Sequence, residues 1–301
     1  MPTMQSKWLE DFVALAQTRS FARAAELCHV THPAFGRRIK ALEAWAGASL
    51  VERGVSPVRL TAAGDLFLET AQAMLRDLES AREEIRSQTE RGGKMVTLAT
   101  GRTLARTLLA DWLVRLNPTL LECRAELRIL TRALAQTVLL LERFEADFSL
   151  VYHHALLALR LDARQFTHLT LASDKLVPVV RTNAQGQPVY DLNESATPYL
   201  AYSQELALGR LVADHLSKNP HAPALLRRLE CDSADALYEY VLNGVGVAWL
   251  PWSMVHADCK SGRLALAGDK RMEVRFDVRL YRPKRRLSPA AERVWQEFAN
   301  R

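Results

Sequence analysis

The sequence predicts an all-α N-terminal unit with a small wing and a long helix, followed by an α/β domain. Three observations predict it. A short helix, a polar turn and a basic helix fit between Phe21 and Glu43. Apolar residues step by 4, 3, 4, 3, 4 from Phe67 to Ile85, and strand-like and helix-like runs alternate from Val96 onward. The 301 residues suffice for about two domains, and the 49% hydrophobic content supplies a sizeable core.

The first helix runs from about Lys7 to Thr18 and offers Phe12 and Leu15 to a core. In the second, Ala24 and Ala25 let two helices cross closely, with Leu27, Ile39 and Leu42 as the expected filling. Thr31 is placed as an N-cap, and Pro33, with fixed φ and no N–H, suits the first turn that follows. Arg37, Arg38 and Lys40 lie behind it. From Arg19 to Lys40 there are five basic residues against the single acid Glu26, within a net charge of +6. These are the parts of a helix-turn-helix, whose second helix lies in the DNA major groove. A three-helix cluster with a solvated charged face has the same pattern.

Leu50 to Leu60 alternates apolar and polar residues around Gly54 and Pro57, as a two-stranded wing would, with Arg53 and Arg59 set to reach phosphate or the minor groove. Thr61 caps the long helix. Phe67, Ala71, Met74, Leu78, Ala81 and Ile85 form a heptad seam on it, which fits a second copy of the helix or the chain's own domain. Self-pairing would present two recognition helices to an inverted repeat. Gln88 to Lys94 is a polar break, so the expected divisions are 1–60, 61–91 and 92–301.

Beyond the break, strands are expected at Val96 to Ala99, Ala125 to Leu130, Phe148 to Tyr152, Lys175 to Val180, Tyr199 to Ala201, Leu225 to Glu230, Val247 to Leu250 and Glu273 to Tyr281. Helices are expected at Leu104 to Leu116, Ala133 to Phe144, Leu208 to Leu216, from Asp232 or Ser233 to Leu242, and from Pro289 to the end. The alternation predicts largely parallel sheets. Asn243 to Gly246 precedes a strand and is a turn, the wrong way round for a dinucleotide loop.

Phe21, Arg23-Ala24-Ala25, Leu27, Pro33-Ala34, Ile39, Leu42-Glu43, Gly47, Leu50, Arg53 and Leu60-Thr61-x-x-Gly64 together resemble the LysR-type transcriptional regulators, over roughly Lys7 to Ile85. Lys7 to Phe12 and Pro289 to Trp295 are most similar to the hypochlorite-responsive branch. The resemblance implies a two-lobed sensor domain of periplasmic-binding-protein type, with a first lobe of about 94–169 and 272–301 and a second of about 170–271. It also implies a homodimer that assembles into a homotetramer, an inverted-repeat DNA operator and contact with RNA polymerase.

Thr31, His32, Pro33, Ala34, Gly36, Arg37, Arg38, Lys40, Arg53 and Arg59 are the expected DNA-binding residues. Many family members have Ser-Gln-Pro where this chain has Thr31-His32-Pro33. Gln pairs bidentately with adenine, whereas His offers one donor or acceptor at a time, so His32 reads a base or touches phosphate or solvent. Arg37 is the best candidate for a guanine edge.

A small anionic or carboxylate effector is expected between the lobes, where helix N-termini favour anions. Its candidate residues are Arg102, Thr103, Thr131, Tyr152, His153, Tyr202 and Ser203. Thr103 caps the helix after the first strand, and Arg102 pairs a carboxylate or is solvated. The family branch raises an alternative signal, oxidation of sulfur. Past the long helix the only candidates are Met95, Met254 and Met272 with Cys123, Cys231 and Cys259, while Leu208 and Ala234 stand where a sensor sulfur is expected.

The four cysteines show no Cys-x-x-Cys pair, which argues against zinc and for reduced thiols in the cytosol; Cys28 is expected to be buried and inert. No cofactor or metal is expected. No apolar run is long enough to span a bilayer. No Gly-x-Ser-x-Gly elbow or Walker loop occurs, which argues against an enzyme. A transported-solute binder would carry an export leader where this chain has its basic helices.

Overall fold

The computed structural model describes residues 4–52, 54–91, 94–157, 159, 161–192 and 196–300, without the side chains at 76, 79, 80, 83, 84 and 86–91. The chain divides into two compact units, Met1–Ser87 and Gln88–Arg301.

The first unit holds helices α1 (Ser6–Thr18), α2 (Phe21–Leu27) and α3 (His32–Ala46), and most of the long α4 (Ala62–Arg91). Its core is Leu9, Phe12, Leu15, Ala24, Ala25, Phe35, Ile39 and Leu42, all essentially inaccessible. Leu27 departs from expectation, being 58% exposed. Phe21, Ala24, Ala25 and Cys28 define the inward face of α2, and Leu27 lies roughly 110° from its centre at 3.6 residues per turn. Phe35 fills the space instead, with the Phe21 ring edge-on to it at 6.0 Å.

Asp11 is buried beneath α3 and pairs with Arg38 Nη1 at 3.3 Å. Cys28 is partly buried beside it, and its thiol is pushed up to about 11 by burial first and then by its hydrogen bond to Asp11. A thiol held protonated is a poor nucleophile.

The wing forms around a bridge between Val51 and Leu60. Glu43 anchors it, since Oε1 accepts from the backbone N–H of Leu50 at 2.8 Å and of Val51 at 3.3 Å. Thr61 Oγ1 accepts from Gly64 N–H at 3.0 Å and caps α4 as expected.

The second unit contains β1 (Met95–Thr100), α5 (Arg102–Arg106), α6 (Leu108–Glu122), β2 (Glu126–Thr131), α7 (Leu134–Glu142), β3 (Phe148–His153), β4 (Phe166–Arg181), β5 (Thr197–Tyr202), α8 (Ala207–Lys218), β6 (Leu225–Cys231), α9 (Ala234–Leu242), β7 (Ala248–Pro251), α10 (Trp252–Ser261), β8 (Leu264–Leu266), β9 (Val274–Pro283) and α11 (Pro289–Ala299). One sheet runs β2-β1-β3-β9-β4-β7, with β8 also on β4. Strands β5 and β6 pair separately and reach β7 through a bridge between Tyr199 and Val247.

The expectation of largely parallel sheets is corrected here. Strands β1-β2, β1-β3 and β5-β6 are parallel, but β3-β9, β4-β9, β4-β7 and β4-β8 are antiparallel. Alternation of burial reports which faces are covered and carries no information on strand direction. Strand β4 is also far longer than the predicted Lys175 to Val180. Its first half pairs with β9 beside β3, and its second half carries β7 and β8. The ladder slips between Thr170 and Ala172.

The single helix expected at Leu104 to Leu116 is two, α5 and α6, broken at Thr107, whose φ of −94° and ψ of −97° are not helical. Helix α10 was not predicted. Helix α11 is pinned by Arg282, which is buried and donates from Nη1 and Nη2 to the two oxygens of Glu292 at 2.7 Å each. That bidentate pair holds the Glu292 carboxyl below its usual range. Among the described residues no helix is long and apolar enough to cross a membrane.

Candidate DNA-binding surface and ligand cleft

Helix α3 begins at His32 with Pro33 in its first turn. Thr31 occupies the N-cap position in extended conformation, but its hydroxyl makes no capping bond, which corrects the expected role. Thr31, His32, Pro33, Arg37 and Lys40 are exposed, and Ala34, Gly36 and Arg38 are half-buried. These residues share one end and face of a helix whose opposite side (Phe35, Ile39, Leu42) is sealed into the core. The His32 ring lies 6.2 Å from Phe21, edge-on, which restricts it. Arg38 is partly committed to Asp11, whereas Arg37 has no ion pair among the described residues. Arg59 is exposed on the wing, and Arg53 lies outside the described residues.

The heptad seam is split by the structure. Phe67 and Ala71 pack on their own unit, Phe67 between Phe12 at 5.6 Å and Trp45 at 6.2 Å, and Ala71 is fully buried. This corrects their place among the pairing residues. Met74, Leu78, Ala81 and Ile85 are exposed, Met74 at 44% and Leu78 at 56%; Leu66, which the heptad count missed, is 71% exposed.

A cavity of about 410 Å³ opens in the second unit. The C-terminal ends of β1, β2 and β3 form one wall, and the beginnings of α8 and α9 form the other. Arg102, Thr103, Thr131 and Tyr152 are among the residues that line it. Thr103 is not a cap: Gly101 holds that position, and Thr103 lies inside α5, buried and bonded to Tyr152. Burial raises the Tyr152 phenol far above its ordinary range, so it stays protonated. Thr131 ends β2, and Ala133 is the N-cap of α7.

Three expected residues stand elsewhere. His153 does not line the cavity and belongs to a separate depression. Tyr202 and Ser203 also lie off the lining: Tyr202 is buried at the end of β5, and Ser203 Oγ accepts from Glu205 N–H at 3.3 Å in the turn before α8. Residues after a strand end were read as facing the cleft, but β-strand side chains alternate between faces, so adjacent positions diverge.

The cleft is bridged by contacts that sequence reasoning missed. Arg106 Nη1 pairs with Asp235 Oδ1 at 2.6 Å, its guanidinium 4.9 Å above the Tyr238 ring, and Arg102 Nη2 donates to the Asp232 carbonyl at 3.3 Å. Arg102 and Arg106 sit four residues apart on α5, a spacing that puts both on one helix face. Arg132, Glu205 and Asp232 complete a wall of mixed charge. Among the described residues no group of three or more His, Cys, Asp or Glu is placed to hold a metal.

A basic recognition helix with a wing, joined through a long helix to a cleft-bearing α/β domain, defines a ligand-responsive DNA-binding regulator. The comparisons agree. Residues 6–65 match the model of the bacterial regulatory helix-turn-helix proteins of the lysR family, and residues 89–301 match the LysR substrate binding domain. The chain belongs to the LysR family of transcriptional regulators. It is 30% identical to the transcriptional regulator YjiE of Escherichia coli K12 over 98% of this chain and 94% of that protein. Among solved structures it resembles DarR of Vibrio fischeri in complex with DNA (30% identity, all of both chains, TM-score 0.60). It also resembles full-length HypT of Salmonella typhimurium, a hypochlorite-specific LysR-type regulator (28% identity, 100% and 98% of the chains, TM-score 0.61). These relatives are regulators and not enzymes.

Proposed function

We propose that this regulator binds an inverted-repeat operator through paired α3 helices and wings, and that a small carboxylate effector in the cleft controls it. The observation that carries the effector reading is the convergence of the beginnings of α7, α8 and α9 on one cavity beside Arg102. Helix N-termini present unpaired N–H groups and a positive dipole end, which suit an anion. Leu66, Met74, Leu78 and Ala81 of α4 supply the pairing surface of a dimer, and association of the sensor domains then builds a tetramer that bends DNA and alters RNA polymerase recruitment.

Sulfur oxidation is the second reading, supported by the likeness to HypT. Against it, Met254 and Met272 are buried, and Leu208 and Ala234, which line the cleft, carry no sulfur. Burial also pushes the Cys259 thiol up, away from the reactive thiolate.

Arg37→Ala is expected to weaken operator binding by about 1–3 kcal/mol and relax preference at one base pair, because a bidentate guanine contact is lost. Gel shifts against single-base operator variants at fixed salt measure this; an unchanged base preference rejects the readout role. Arg102→Ala is expected to abolish any thermal shift that small carboxylates give through the cleft. A shift of the same size in that variant removes Arg102 from the site.

A further inference from the structure

His153 stands outside the cleft, and nothing above uses it. It closes β3 directly opposite Asp277 of β9, which lies opposite Ser173 of β4. Arg279, two residues further along β9, is opposite Val151 and Thr170. A depression of about 720 Å³ opens here, lined from β3, β4, β9 and the first residue of α10, and it shares no residue with the effector cleft.

The acids in this depression are already engaged. Asp277 Oδ1 accepts from Ser173 Oγ at 2.9 Å. Asp174 accepts from Ser253 Oγ at 2.6 Å and from the Lys175 N–H at 2.8 Å. Lys175 Nζ in turn donates to Glu273 at 2.6 Å. Two nitrogens are not engaged. His153 Nδ1 and Arg279 Nε are both shielded from solvent and lack a hydrogen-bond partner among the described residues. Asp277 comes no nearer to Arg279 Nη2 than 3.7 Å, beyond hydrogen-bond reach.

Arg279 Nε–H is a buried donor without an acceptor, which is costly, while the 21% of the Arg279 side chain that is exposed lines the depression, and a guanidinium is best satisfied by an oxyanion. We propose that this depression is a second ligand site, which takes a small carboxylate or phosphate oxyanion between Arg279 and His153. It is built on β4 and β9, with His153 from the end of β3 and Trp252 from the start of α10.

The pH dependence follows from what surrounds His153. Burial first, then the charge of Arg279 on β9, push its pKa below the ordinary 6.5, with His168 of β4 and the adjacent His154 adding to the fall. Asp277 opposes them. Of the other charged groups around the depression, Asp174, Lys175 and Arg275 come from β4 and β9, and α10 contributes uncharged Trp252. The empty site therefore holds a neutral imidazole at pH 8. A bound oxyanion favours the imidazolium, so binding takes up a proton and tightens as pH falls.

Isothermal titration of the full-length protein at constant ionic strength tests this, with succinate in one arm and inorganic phosphate in the other, at pH 8 and pH 6. Saturable binding is expected in at least one arm, tightening about tenfold toward pH 6, and the arm that binds names the oxyanion. Arg279→Gln is expected to weaken it about tenfold or more. His153→Asn, at a half-buried position, is expected to remove the contribution of the imidazole to the pH dependence. Arg102→Ala is expected to leave this binding intact, so failure of the cleft reading leaves the second site standing. The proposal falls if neither arm saturates below about 10 mM, if binding survives unchanged in both site variants, or if Arg102→Ala abolishes it.

Discussion

Gly64→Ala is expected to abolish operator binding and to destabilise the N-terminal unit by about 3 kcal/mol. A Cβ at this position would lie 2.0 Å from the Leu50 carbonyl oxygen, 3.0 Å from its carbon and 3.2 Å from Leu60 Cβ. None of these is the tip of a flexible side chain. The Leu50 oxygen also accepts from Thr61 N–H at 3.1 Å, and Leu50 N–H is held by Glu43. Moving Leu50 away therefore uncouples the wing from α3 on one side and from the start of α4 on the other. Urea denaturation followed by circular dichroism measures the loss, and a gel shift measures the consequence. A change smaller than roughly 0.5 kcal/mol, the size of an ordinary surface substitution, would show that the close approach is not needed.

Trp249→Ala is expected to cost the sensor domain about 3–5 kcal/mol, the range for removing a buried aromatic side chain. Trp249 is the largest fully buried side chain, on β7 opposite Pro178, with the Tyr199 ring edge-on at 5.7 Å. Its Nε1–H donates to the Met272 carbonyl at 2.8 Å, tying the approach to β9 onto β7. Trp249→Phe keeps most of the packing and removes that donor, so a smaller loss of about 1–3 kcal/mol is expected. Denaturation curves of the three proteins separate the two contributions. Equal losses in both variants would assign the whole effect to the hydrogen bond.

Much of the N-terminal unit was legible because its chemistry is local. Pro33, Thr61 and the clustered Arg37, Arg38 and Lys40 announce helix starts and charge within a few residues. Leu27 was misjudged because a seven-residue helix gives too little periodicity to fix its face. The heptad from Phe67 to Ile85 was real as a pattern, but a pattern does not say which partner covers each step, and the fold uses Phe67 and Ala71 for itself.

In the sensor domain, elements were legible and their pairing was not. Strand β4 alternates weakly in its polar first half (Thr167, His168, Thr170, Ser173) and so reads as a loop. It becomes a strand because β9 lies beside it, about 100 residues away. The same distance hides the bridge between Arg106 and Asp235. Arg102 and Thr103, just after β1, and Thr131, at the end of β2, could be placed beside the cavity by position alone. His153 failed by one residue, since Tyr152 and His153 leave β3 on opposite faces.

Strand β4 runs without interruption from its ladder with β9 into its ladders with β7 and β8, so the two ends of the sheet are joined by continuous paired backbone. A relative movement of those ends is spread as small backbone torsions along paired strands, and the register shift between Thr170 and Ala172 is where the ladder is already interrupted. A response carried along that ribbon is elastic in character: its amplitude is set by how far a twisted ladder yields before its hydrogen bonds part, and substitutions along the ribbon change its stiffness from outside the cleft.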